Sequence, residues 1–144
     1  MSAEPIKFSF NINGNDCTSA GKASVQVKKL LRQLSFDSDT IRRVSVAMYE
    51  GEINMVIHAN GGQADVIVAD DYIEVVLSDS GPGIPDIDLA MQEGYSTAKD
   101  NIRSLGFGAG MGLPNMKRYS DELSISSEVG VGTTVTMRFS VAAD

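Results

Sequence analysis

Gln63-Ala-Asp-Val-Ile-Val-Ala-Asp-Asp-Tyr-Ile-Glu-Val-Val-Leu-Ser-Asp-Ser-Gly-Pro-Gly83 holds two apolar-rich runs separated by a pair of acids. Residues 63–69 and 72–78 read as two strands, with Asp70-Asp71 as a short hairpin turn between them. The second strand runs directly into Asp79-Ser80-Gly81-Pro82-Gly83. An acid at a strand end is placed to accept hydrogen bonds from an amine in a cleft. Gly81 and Gly83 let backbone approach a flat ligand. Taken alone, the same five residues are also an ordinary polar turn.

Upstream, residues 6–12 alternate apolar and polar and read as a half-buried strand. Val27, Leu30, Leu31 and Leu34 recur at i, i+3, i+4, i+7 and predict a helix over 19–34. A second helix starts near Asp37, a candidate N-cap, with Phe36 and Ile41 forming a hydrophobic staple across it. Ile41, Val44, Met48 and Met55 mark its buried stripe, and Asn60-Gly61-Gly62 offers a left-handed exit after Ala59.

Downstream, residues 79–111 are rich in Gly, Ser and Asp and carry Pro82 and Pro85. So long a segment in a compact domain predicts a functional lid, with a short helix near Asp86–Glu93. Its part from 94 to 111 has few large apolar residues beyond Ile102, Leu105 and Phe107, so that part is expected to be mobile, with Gly94 a candidate hinge. A helix restarts over 112–120. Residues 122–128 and 133–141 form a last hairpin of strands around Glu128-Val-Gly-Val-Gly132. The order β-α-α-β-β-lid-α-β-β predicts an α/β (α+β) two-layer sandwich, a mixed, mostly antiparallel sheet with helices on one face. A doubly wound fold is not expected.

The 144 residues suit one domain spanning 1–144, with hydrophobic residues at 42% and charged residues at 22%. No apolar run approaches the roughly 20 residues of a membrane span, and the N-terminus lacks the basic and apolar regions of a signal peptide. The single cysteine, Cys17, excludes an internal disulfide and fits a reducing cytoplasm. One His and one Cys exclude a structural zinc site. With 12 Lys and Arg against 19 Asp and Glu, the net charge of −7 argues against nucleic-acid binding.

Three further constellations carry chemistry. Glu50, Asn54 and His58 repeat every four residues, so they lie within about 80° on one helix face, with Gly51 removing bulk beside it. A carboxylate one turn from an amide oxygen suits a base beside a hard cation, since Mg²⁺ takes oxygen ligands and keeps waters. Alone, the trio is also a plain polar face with a core or capping histidine. Gly106-Phe-Gly108-Ala-Gly110-Met-Gly112 leads into Leu113-Pro114-Asn115. Its bare backbone N–H groups and the positive end of the next helix, with Pro114 in the first turn, make an anion site for phosphates. A surface loop fits these residues as well. Gly130-Val-Gly132-Thr133 reads either as a plain hairpin turn or as one whose threonine hydrogen-bonds a base, directly or through water. The P-loop pattern fails at Asp16 and Ala23, and the dinucleotide pattern fails after Gly83. His58 has no Gly-x-Ser-x-Gly partner, which leaves a hydrolase triad without support.

In this order the four motifs resemble the Bergerat-fold ATP-binding domain of the GHKL superfamily, which includes gyrase, Hsp90, histidine kinases, MutL and bacterial anti-sigma serine kinases. Glu50-x-x-x-Asn54-x-x-x-His58 looks like the N box, and Asp79-Ser-Gly-Pro-Gly83 like the G1 box. Gly106 to Gly112 looks like the G2 box and ATP lid, and Gly130-Val-Gly132-Thr133 like the G3 box. The free-standing length, with Gly81-Pro-Gly-Ile-Pro-Asp-Ile87, Glu93-Gly-Tyr-Ser-Thr97 and Gly108-Ala-Gly-Met-Gly-Leu-Pro114, most resembles the small anti-sigma-factor serine/threonine kinases of the stressosome switch type.

The resemblance implies binding of ATP and Mg²⁺ and phosphoryl transfer to a STAS-domain protein. By the same resemblance Glu50 is the catalytic residue, orienting or deprotonating the attacking hydroxyl, and Asn54 ligates Mg²⁺. Asp79 binds the adenine amine with Thr133 assisting, while Gly81 and Gly83 lie by the base. Gly106, Gly108, Gly110, Met111, Gly112 and Leu113 wrap the phosphates. A sigma factor, a phosphatase or a second copy of the chain are further partners it implies. Some anti-sigma kinases carry an Arg at the position of Gly108; Lys99, Arg103 and Lys117 are the basic residues nearby. That departure motivates an alternative, a nucleotide-dependent switch that binds a sigma factor or another regulator.

Overall fold

The computed structural model describes residues 4–14, 20–59, 61–92 and 112–141. In chain order they form strand β1 (Ile6–Asn13), helices α1 (Lys22–Gln33) and α2 (Ser38–Ala59), and strands β2 (Gly61–Val68) and β3 (Tyr72–Asp79). Helices α3 (Ile87–Ala90) and α4 (Gly112–Tyr119) and strands β4 (Glu122–Glu128) and β5 (Gly132–Ser140) follow. This is the expected order of elements.

The strands make one five-stranded sheet in the order β1-β2-β3-β5-β4. All four neighbouring pairs are antiparallel, so the expected mixed sheet is antiparallel throughout the described residues. The reason lies in the last hairpin. β4 runs in the same direction as β3, but β5 inserts between them, and the parallel pair never becomes adjacent. Alternate residues of β2, β3 and β5, among them Ala64 and Val66, Ile73 and Val75, and Val135, Met137 and Phe139, face the helices and are buried.

Helix α2 packs on the sheet and lies between α1 and α4. Its buried residues include the expected Ile41, Val44, Met48 and Met55, and they join the sheet residues in one apolar cluster. Asp37 caps it as its sequence position suggested. The carboxylate accepts from the backbone N–H of Thr40 at 3.1 Å and from its hydroxyl at 2.5 Å. These bonds hold the Asp37 carboxyl below its ordinary pKa. Phe36 packs against the core that contains Ile41, as a staple requires. Helix α1 starts at Lys22, three residues later than expected, because Gly21 sits in the left-handed region with φ 98 and serves as the N-cap. Asp86 caps α3 through a 3.0 Å bond from the backbone N–H of Leu89.

Candidate functional site

The carboxylate of Asp79 stands at the end of β3, opposite Thr133 of β5. Its Oδ1 accepts from the backbone N–H of Gly81 at 2.9 Å and from that of Thr133 at 3.2 Å. Both bonds fall on one oxygen, so the carboxylate is oriented while Oδ2 remains available to a donor. Thr133 is 9% exposed and lies opposite Ser127 of β4. Asp79, Thr133 and Ser127 thus form one row across three strands on the helix side of the sheet.

Sequence reasoning missed Ser127, although it is the hub of this row. Its Oγ accepts from the backbone N–H of Ile84 at 2.7 Å, donates to the carbonyl of Gly132 at 3.2 Å, and meets Thr133 Oγ1 at 2.8 Å. Pro82 adds a second tie, its carbonyl accepting from the N–H of Gly130 at 2.9 Å. The segment after Asp79 is therefore fastened to the β4–β5 hairpin. Gly83 makes that approach sterically allowed. Its φ is +81, and a Cβ there would stand 2.5 Å from the carbonyl oxygen of Glu128. A Cβ on Gly81 would meet Ala59 at the end of α2, at 2.7 Å. Both glycines thus have packing partners within the protein itself.

The face of α2 that carries Glu50, Asn54 and His58 meets α4. Glu50 is half-buried, and Asn115 of α4 approaches its Oε1 through Nδ2 at 3.5 Å. Arg118 stands behind, its Nη1 donating to Asn115 Oδ1 at 3.3 Å. Burial raises the Glu50 pKa above its ordinary value, and the bond from Asn115 offsets part of that rise. A carboxylate so raised is a better proton acceptor near neutral pH than an ordinary Glu. Asn115 was not singled out in the sequence; only the α2–α4 contact brings it here. His58 is half-buried, and burial lowers its pKa.

Asn54 lies against the first residue of α4. A Cβ on Gly112 would stand 2.8 Å from Asn54 Nδ2 and 2.9 Å from Oδ1. The missing side chain brings an amide oxygen to a helix N-terminus, where backbone N–H groups attract anions. This donor set fits Mg²⁺: a single neutral oxygen ligand suits an ion that takes its other ligands from phosphates and water. Among the described residues no group of three or more His, Cys, Asp or Glu could hold a metal on its own. Leu113 is buried in the core, so its backbone and not its side chain is available to a ligand. Gly106, Gly108, Gly110 and Met111 lie outside the described residues, as do Gly94, Lys99 and Arg103 and most of the expected lid. Lys117 is exposed on the last turn of α4.

A second acid of α2 went unnoticed in the sequence because it lies off the 50-54-58 face. Glu52 is two residues beyond Glu50, about 200° round the helix, and points toward α1. It is 1% exposed. Its Oε2 accepts from the N–H groups of Gly21 at 2.9 Å and Ala23 at 3.3 Å, and Oε1 accepts from Ser24 at 2.6 Å. Gly21 has no side chain with which to cap α1, and Glu52 supplies that cap from the neighbouring helix.

The fold is that of an ATPase domain, and the chain belongs to the histidine kinase-, DNA gyrase B- and HSP90-like ATPase family, which it matches over residues 39–143. Among named proteins it is similar to the serine/threonine-protein kinase RsbT of Bacillus subtilis, with 32% identity over 75% of this chain and 78% of that protein. It is also similar to the anti-sigma F factor of Geobacillus stearothermophilus, with 31% identity over 81% of this chain and 80% of that one. A crystal structure of RsbU and RsbW domains from Mycobacterium tuberculosis shares the fold. The TM-score is 0.65 at 18% identity, over 96% of this chain and 34% of that one.

Proposed function

We propose that this chain is an ATP-dependent serine/threonine protein kinase of the anti-sigma regulatory type, acting on a STAS-domain partner in the cytoplasm. The observation that carries the reading is the junction of α2 with α4. There Asn54 abuts the start of a helix that follows a glycine run, and Glu50, with its raised pKa, lies one turn away. Membership of an ATPase family and similarity to a named serine/threonine kinase support it. Among the described residues no helix is long and apolar enough to cross a membrane.

Each residue has a definite task on this reading. Asp79 Oδ2 and Thr133 Oγ1 receive the base, while Gly81 and Gly83 keep the turn beside it compact. The N-terminus of α4 and the glycines before it, Gly106, Gly108 and Gly110, with Met111, Gly112 and Leu113, present backbone N–H groups to the phosphates. Mg²⁺, held through Asn54, supplies neutralisation of the phosphate charge. Glu50 orients the partner's hydroxyl and accepts its proton as the oxygen attacks the γ-phosphorus, and ADP departs with the bridging oxygen. Asn115 keeps Glu50 turned toward that position.

Gly108, standing where some related kinases carry an arginine, favours a second reading: a switch whose nucleotide state sets its affinity for a sigma factor. Incubating the chain with a STAS-domain protein and MgATP separates the two. Phosphoserine or phosphothreonine on the partner, read by mass spectrometry, is the expected result. Nucleotide-dependent binding with no transfer supports the switch instead.

A further inference from the structure

Ser127 has bonds with a direction, and that direction bears on which base the cleft selects. A hydroxyl has one hydrogen and two lone pairs. The N–H of Ile84 takes one lone pair at 2.7 Å. The hydrogen goes to the carbonyl of Gly132 at 3.2 Å, a group that only accepts. The remaining contact is 2.8 Å to Thr133 Oγ1, where either hydroxyl can donate; with the Ser127 hydrogen on the Gly132 carbonyl, Thr133 is the donor. Ser127 is fully satisfied in this pattern. Thr133 commits its only hydrogen to Ser127 and has lone pairs alone to offer a ligand.

Asp79 lies beside Thr133 across the β3–β5 pair. As a carboxylate it too is an acceptor only, and its Oδ1 is already held by two backbone N–H groups. The two side chains at this end are therefore matched to a donor, and the match depends on a third residue that lies behind Thr133.

We infer that Ser127 is a positioning residue that determines nucleotide specificity: by holding Thr133 as an acceptor, it makes the cleft select a 6-aminopurine over a 6-oxopurine nucleotide. The exocyclic amine of adenine donates to both acceptors. The O6 of a hypoxanthine or guanine base meets lone pairs on both. The inference rests on the assignment of Asp79 and Thr133 to the base.

Calorimetric titration of the full chain with ATP and with inosine triphosphate tests it. The readout is the ratio of the two dissociation constants, which is internal to each protein sample and insensitive to a partly unfolded fraction. Ser127→Ala is expected to lower the preference for ATP by about tenfold, because the freed Thr133 hydroxyl can turn and donate to O6. Ser127→Thr, which keeps the hydroxyl, is expected to restore the wild-type ratio. In a Thr133→Val background, adding Ser127→Ala is expected to leave the ratio within about twofold, since the effect passes through Thr133. An Ser127→Ala variant that weakens both nucleotides equally overturns the inference, as does an undiminished ratio change in the Thr133→Val background. An Asp79→Asn variant that binds ATP normally overturns the base assignment itself, a result distinct from either.

Discussion

Glu50 and Glu52 are separated by one residue on α2, yet they differ in burial and in partners. Glu50 faces Asn115 of α4, where burial raises its pKa. The raised pKa has a sign that can be followed in stability. A carboxyl raised in the folded state favours folding below its unfolded pKa, and that contribution is lost as pH rises through the folded value. Glu50→Gln is therefore expected to raise the melting temperature at pH 7, with the gain vanishing as pH falls below the ordinary Glu value near 4.5. A gain of constant size across that range would contradict it. Glu52 is the opposite case. Glu52→Ala removes an acceptor from three buried N–H groups and is expected to cost about 3 kcal/mol in urea unfolding. A loss under about 1 kcal/mol would show that water replaces the carboxylate readily. At the proposed base site, Asp79→Asn puts an amide where the carboxylate accepts. Calorimetry is expected to show ATP binding weakened by about 100-fold.

At the scale of elements, most of the architecture was legible because each element carries its own local signal. The 63–78 hairpin announced itself by two β-rich runs around a pair of acids, and α2 by its cap, its staple and its apolar stripe. The antiparallel character of the whole sheet was not legible. It depends on β5 entering between β3 and β4, which no local pattern records. Ser127, Asn115 and Glu52 escaped for a related reason. Each acquires its role from a neighbouring strand or helix, and each is an unremarkable polar residue within its own segment. The α2–α4 contact yields its own prediction. Among the described residues, the atoms nearest a Cβ on Gly112 are those at the end of the Asn54 side chain, which can rotate away. Gly112→Ala is thus expected to leave the melting temperature nearly unchanged while abolishing the difference in ATP affinity between magnesium and EDTA. Retention of that difference would separate Asn54 from the metal.

Over the whole molecule, helices cover one face of the sheet and the groups assigned to nucleotide lie on that side. On the proposed reading the base end is a row across β3, β5 and β4, and the phosphate end is a helix junction. α2 connects the two, since Ala59 at its end packs on Gly81 and Asn54 within it packs on Gly112. On the proposed reading a nucleotide site is thereby combined with a half-buried carboxylate, Glu50, placed to accept a hydroxyl proton. Rapid-quench measurement of a single turnover, with radiolabelled ATP, a STAS-domain protein and either the wild-type chain or Glu50→Gln, tests that combination most directly. The account predicts transfer by the wild type and a loss of about 100-fold or more in the variant, with ATP affinity little changed. Transfer by Glu50→Gln at the wild-type rate would contradict it.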